Sequence, residues 1–393
     1  MSSPLPATLR DTFSFATWAS LGLSWTVVVA FLAFGHSWLA APISAPVGVV
    51  SFVVLFSTIL FAAFGVVREA DHLAHRLGEP YGTLILTLSI VSIEVILISA
   101  VMAGPGESAT IGRDAMFAVM MIILNLVMGL CLFLGGLRYG EQEYNAQGAA
   151  AYLSMIIGLT GIGLVLPNVV STGDGTFAPR QAVPISALTL ILYAAFLAMQ
   201  MRRYRRFFVQ PEPGLLESPL ASVAESEAVH EGRTGNAAGE EDRRVVWLRS
   251  VVLLALLVPI VLLSHNLAVL IDLGITAVGA PIAISGVIIA IIVFTPESIT
   301  AVRAALANHV QRAVNLCLGA FLSTVGLTVP AVLVIGLIMD KPVVLGLSAP
   351  ETVLLVLTIA ISTITFLGIR TSPIQGMMHL MLFAVFLVLL LSP

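Results

Sequence analysis

The chain has 393 residues, 58% hydrophobic and 10% charged, with a formal net charge of −4 and a mean hydropathy of +1.04. A soluble domain carries roughly 25% charged residues, so this composition excludes one and defines an all-α polytopic membrane protein. The small net charge gives no footprint for nucleic acid. The two cysteines, Cys131 and Cys317, fall inside apolar runs, which leaves a disulfide framework or a CxxC metal site unsupported.

Eleven apolar runs are long enough to cross a bilayer, which takes about 20 residues. They cover 17–40, 46–67, 80–103, 114–137, 149–170, 183–201, 246–266, 279–302, 313–338, 349–369 and 373–391. No short apolar region followed by a small-residue cleavage site precedes the first run, so that span is expected to stay. With the N-terminus inside, fifteen of the 18 basic residues fall on one side, and only Arg113, Arg180 and Lys341 on the other. Positive charge favours the cytoplasm, which predicts an inner-membrane protein with its N-terminus cytoplasmic and its C-terminus outside.

The long polar stretch 202–245 opens with Arg202-Arg-Tyr-Arg-Arg206, then turns acidic and rich in Pro and Gly. It buries too little apolar surface to fold alone and reads as a cytoplasmic linker. It divides the chain into a leading segment (1–45), a first five-span unit (46–201) and a second (246–393). Units with an odd number of spans face opposite ways across a membrane, the inverted-repeat architecture of secondary transporters.

Each unit holds one deeply placed acid. Glu94 is the only charge in Pro80–Ala103, and Glu297 the only charge in Pro281–Val302. An ionisable group at that depth costs about 3 to 17 kcal/mol, so it marks a functional site by default. A lone glutamate also serves to pair helices; two at matched positions point to a shared cation site. Gly78-Glu-Pro80 precedes Glu94 by sixteen residues and Gly279-Ala-Pro281 precedes Glu297 by eighteen. Arg113 and Arg303 each stand twelve residues before an asparagine, Asn125 and Asn315, that is followed four residues later by glycine.

The residue types around the acids are oxygen donors. Thr83, Thr87 and Glu94 share one helical face by spacing. On the eighth span Glu297 follows Thr295-Pro296, and proline has no N–H for the carbonyl of Ile292. Asn125 and Asn315 offer amide oxygens or interhelical hydrogen bonds. Ser323 and Thr324 are either ligands or packing residues. His379 is either a proton relay or a structural histidine. His265 and Asn266 are expected to end the seventh span. Glu69, Asp71, His72, His75 and Glu79 are expected in a solvated loop before the site helix.

Two carboxylates match the charge of Ca2+, which takes six to eight oxygens, and the thiolate or imidazole clusters of softer metals are missing. With no cation, two carboxylates in a low dielectric do not both stay ionised, and protons take the cation's place. Competition of proton and cation for one site is antiport in outline. No GxxxxGK[ST] loop supports ATP drive. GxSxG and HExxH are also absent, so an intramembrane enzyme is unsupported. No resident cofactor is expected; the partners are inorganic cations, protons and the lipid bilayer.

At these residues the chain resembles the calcium/proton exchanger family of the cation/calcium antiporter superfamily, and is similar to bacterial ChaA-type sodium-calcium/proton antiporters. The resemblance is carried by Gly78-Glu-Pro-Tyr-Gly-Thr-Leu through Ile93-Glu-Val, by Arg113-Asp-Ala-Met-Phe-Ala to Asn125, by Gly129-Leu-Cys-Leu-Phe-Leu-Gly and Val165-Leu-Pro-Asn168, and by Pro296-Glu297 through Arg303 to Asn315-Leu-Cys-Leu-Gly319. It implies eleven spans, two inverted five-helix repeats, and Glu94 and Glu297 as shared cation- and proton-binding acids. The Gly-Asn pair usual before each acid in the superfamily is replaced by Ile90-Val91 and Val293-Phe294. The expected function is Ca2+/H+ exchange that exports Ca2+, with Na+ or K+ in place of Ca2+ as the alternative.

Overall fold

The computed structural model describes residues 13–40, 43–78, 81–104, 109–170, 173–201, 203–209 and 240–392. Among them are eleven apolar helices. The first unit and its leader comprise α1 (Phe15–Trp38), α2 (Ala45–Leu77), α3 (Tyr81–Ala103), α4 (Ile111–Tyr139), α5 (Ala146–Asn168) and α6 (Pro179–Met201). The second comprises α7 (Glu240–Val278), α8 (Ala283–Leu306), α9 (Val310–Met339), α10 (Ala349–Thr365) and α11 (Pro373–Leu391). Ten are long and apolar enough to cross a membrane, and α10 is a shorter apolar helix of 17 residues.

A spacing of 203 residues recurs between the two units. It runs from Glu94 to Glu297, from Ala146 to Ala349 at the starts of α5 and α10, and from Asn145 to Ser348, which cap those helices. The same spacing joins the starts of two π-helical turns, Met121–Val127 within α4 and Thr324–Thr328 within α9. A π turn carries one extra residue and is frequent at functional sites. The loop after α4 pairs as a strand with the loop before α11 (Gln142–Glu143 with Arg370–Thr371), and the loop after α9 bridges the loop before α6 (Val344 with Thr176). The two pairings swap units, and five helices separate Gln142 from Val344, which puts them at opposite ends of the bundle.

Helices α4 and α9 form the centre, with 78% and 67% of their apolar windows buried, against 22% for α11. Close approach there depends on glycine. A Cβ on Gly286 of α8 would lie 2.6 Å from the backbone of Asp114 and Ala115 in α4, and one on Gly376 of α11 2.5 Å from Phe133 N. Gly78 and Gly279 end α2 and α7 at φ +64° and +63°, a conformation that side chains resist.

Two expectations change here. The predicted spans 46–67 and 246–266 belong to helices of 33 and 39 residues, roughly 50 and 58 Å long at 1.5 Å per residue. Both exceed a hydrocarbon core of about 30 Å. Glu69, Asp71, His72 and His75 thus lie within α2 rather than in a loop, and His265 and Asn266 lie inside α7 rather than at its end. The continuation is held by a buried ion pair. Arg249 Nη1 of α7 donates to Glu69 Oε2 of α2 at 2.7 Å, and Thr17 of α1 donates to Glu69 Oε1 at 2.8 Å. Residues 203–209 also fold back: Asn315 Nδ2 and Asn145 Nδ2 donate to the carbonyls of Phe208 and Arg206. Residues 210–239 of the linker, Glu79-Pro80 and the 105–108 loop lie outside the described residues.

Candidate functional site

Helix α3 packs against the π turn of α9, and α8 against the π turn of α4. Each acid-bearing helix therefore meets the irregular backbone of the opposite unit. Glu94 is fully buried on α3. Its Oε2 accepts hydrogen bonds from Thr324 Oγ1 at 3.1 Å and Thr328 Oγ1 at 3.0 Å, and its Oε1 has no hydrogen-bond partner among the described residues. Hydroxyls can donate to the carboxylate while keeping lone pairs for a cation.

Glu297 is also buried, and neither of its carboxylate oxygens has a hydrogen-bond partner among the described residues. It lines a cavity of about 450 Å³ with Thr87, Tyr193, Thr300, Asn315 and Ser323. The cavity reaches Arg68, Asp71, Arg303 and Arg312, so it opens at the end of the bundle where α2 and α8 finish and α9 begins. At the other end, among the described residues, Lys341 Nζ donates to the Met102 carbonyl and Val344 N to the Ala109 carbonyl, which ties the loop after α9 to the α3–α4 connection. Ser323 faces the Glu297 cavity, and its neighbour Thr324 bonds Glu94. One dipeptide thus joins the surroundings of both acids.

The other expected site residues are distributed as follows. Thr87 lines the cavity beside Tyr193, whereas the side chain of Thr83 lies outside the described residues. Thr295 lines a different, apolar groove, and its hydroxyl returns to the Ile291 carbonyl. Ile292 is buried and is not among the cavity-lining residues. Asn315 sits in the cavity wall, its amide committed to Gln311 and the Phe208 carbonyl.

Asn125 belongs to a separate buried chain. Its Nδ2 donates to Thr358 Oγ1 at 2.9 Å, its Oδ1 faces His379 Nδ1 at 3.2 Å, and His379 Nε2 faces Thr365 Oγ1 at 3.3 Å. An amide oxygen only accepts, so His379 donates through Nδ1 and accepts from Thr365. Asn125 and Asn315 are therefore not equivalent positions, contrary to their sequence context. The 203-residue spacing pairs Asn125 with Thr328. Sequence reasoning missed Thr328, although it stands four residues after Thr324 on the same face.

The apolar helices and their repeat define a polytopic membrane protein, and similarity to known proteins gives its class. The sequence profile described as sodium/calcium exchanger protein matches residues 47–202. The putative ionic transporter y4hA of Sinorhizobium fredii (strain NBRC 101917 / NGR234) is 36% identical over 335 residues, 84% of this chain and 86% of that protein. The sodium-potassium/proton antiporter ChaA of Escherichia coli (strain K12) is 34% identical over 329 residues, 84% of this chain and 85% of that protein. Among solved structures, YfkE, described as a Ca2+/H+ antiporter, has the same fold at TM-score 0.70 and 19% identity, with 96% of this chain and 100% of that one covered. The chain belongs to the sodium/calcium exchanger protein family, a family of secondary transporters rather than enzymes.

Proposed function

We propose that the protein exchanges a cation for protons at one site shared by Glu94 and Glu297. The observation that carries this is Glu297: two buried carboxylate oxygens without a hydrogen-bond partner among the described residues, at the end of an open cavity. A desolvated carboxylate in that position holds either a cation or a proton. Thr324 and Thr328 complete the Glu94 side, and Ser323 and Thr87 supply hydroxyl oxygens near Glu297. His379, with both ring nitrogens hydrogen-bonded away from the cavity residues, acts as a structural link between α4, α10 and α11.

A monovalent cation, Na+ or K+, is the first substrate. Asn125, Asn315 and Thr295 are engaged elsewhere, so fewer free oxygens gather at the acids than the sequence suggests, and the Escherichia coli relative carries a sodium-potassium/proton name. Ca2+ is the second reading, favoured by a pair of carboxylates that cancels its charge. In a bacterial-type inner membrane with the Arg68–Arg312 mouth cytoplasmic, inward protons drive cation export. Each net charge moved is worth about 2.3 kcal/mol per 100 mV.

The test is collapse of an imposed pH gradient in proteoliposomes on separate addition of Na+, K+ and Ca2+. Monovalent ions are expected to act at the lowest concentration. Stronger action of Ca2+ reverses the ion order, and no response to any cation overturns antiport.

A further inference from the structure

A second cavity, of about 550 Å³, lies on the outside of the bundle between α4, α8 and α11. Its walls are apolar: Leu126 and Leu130 from α4, Ile291 and Val302 from α8, Phe383 and Leu387 from α11. The two hydroxyls that reach it, Thr295 and Ser298, are spent on the carbonyls of Ile291 and Phe294 of their own helix. Neither hydroxyl therefore has a proton left to donate into the groove. It runs on α8 from Val287 to Arg303, sixteen residues or about 24 Å along the axis.

Charge is found at one end alone. Arg303 lines the groove and also lines the cavity that ends on Glu297. It is exposed, and its guanidinium makes no hydrogen bond or ion pair among the described residues. An apolar slot longer than one leaflet's ~15 Å, with the Arg303 guanidinium at one end, has the form of a single lipid tail beneath an anionic headgroup.

We propose that this groove binds an anionic glycerophospholipid, with one acyl chain between α4, α8 and α11 and its phosphate on Arg303. The lipid also acts on the cation path. Arg68, Arg303 and Arg312 face the same cavity as Asp71, and unscreened cationic groups there repel an arriving cation within a Debye length of about 8 Å. A phosphate on Arg303 cancels one of those charges. This second step rests on the exchanger reading; lipid binding itself does not.

Native mass spectrometry of the detergent-purified full chain, titrated with phosphatidylglycerol or phosphatidylcholine, tests the binding separately from transport. Wild type is expected to retain phosphatidylglycerol over phosphatidylcholine. Arg303→Gln is expected to lower phosphatidylglycerol retention about fivefold, the factor that one basic side chain contributes. Arg312→Gln, in the cavity and not in the groove, is expected to leave retention unchanged. Leu126→Trp or Leu387→Trp, which fill the slot, are expected to lower retention of both lipids. Equal retention of the two lipids by wild type, or no change in Arg303→Gln, overturns the proposal. So does a tryptophan variant that alters the oligomeric state with lipid retention intact, since the groove would then be covered by a second copy. In proteoliposomes, replacing phosphatidylglycerol by phosphatidylcholine is expected to raise the KM for the cation in wild type and to have a smaller effect in Arg303→Gln.

Discussion

Thr328 of the second unit donates its hydroxyl to Glu94 of the first at 3.0 Å, across 234 residues of chain. The position 203 residues earlier is Asn125, whose amide turns to His379 and Thr358 instead. The repeat supplies two equivalent acids, but their surroundings have diverged. Glu94 is held by two hydroxyls and Glu297 is open to the cavity. This asymmetry suits a site in which one carboxylate is fixed and the other exchanges.

Removing the hydroxyls that hold Glu94 is expected to weaken cation binding. A hydrogen bond to a charged group contributes about 1.5–3 kcal/mol, so Thr328→Val is expected to raise KM at least tenfold, and Thr328→Ser to stay near wild type. Cation-dependent proton flux as a function of cation concentration measures both. An unchanged KM in Thr328→Val would mean that the hydroxyl only packs.

The Glu69–Arg249 pair ties α2 to α7 and, through Thr17, to α1. Breaking one partner of a buried pair costs about 3–5 kcal/mol, because the other charge stays buried. Arg249→Met or Glu69→Gln is expected to lower the thermal unfolding midpoint in detergent. The double variant Glu69→Leu/Arg249→Met is expected to recover most of the loss. A double variant as unstable as the singles would contradict a charge-based origin.

Helix contact at Gly286 leaves no room for a side chain. Gly286→Ala places a Cβ 2.6 Å from the α4 backbone, and overpacking of this kind costs about 1–3 kcal/mol. Loss of folded protein on size-exclusion chromatography, increasing from Ala to Leu, is the expected outcome. A fully stable Gly286→Leu would show that α4 and α8 are not in this contact.

The chain Thr358–Asn125–His379–Thr365 predicts a structural histidine. His379→Leu leaves the Asn125 amide oxygen unpaired in a buried site, at a cost of about 1–3 kcal/mol. Thermal stability is expected to fall while the number of protons moved per cation stays the same. A changed stoichiometry in a folded variant would restore the proton-relay role.

The membrane class, the eleven helices and the two acids were legible in sequence, because each rests on a strong local signal: long apolar runs, and single charges within them. Thr324 was legible as a candidate, but its partner was not, since the Thr324–Glu94 contact joins residues 230 apart. The extension of α2 was hidden because Glu69 looks solvated until α7, which brings Arg249 to it, is placed alongside. Asn315 misled by context. Its Asn-x-x-x-Gly pattern matches that of Asn125, whereas the backbone equivalence is set by the π turns, which no residue pattern announced.

The central claim is that Glu94 and Glu297 form one exchange site, and it is tested by cation-triggered proton movement in proteoliposomes carrying wild type, Glu94→Gln or Glu297→Gln. The account predicts that Na+, K+ or Ca2+ moves protons in wild type, and that both folded variants lose this flux. Full activity in either variant would contradict a shared site and return that glutamate to a helix-pairing role.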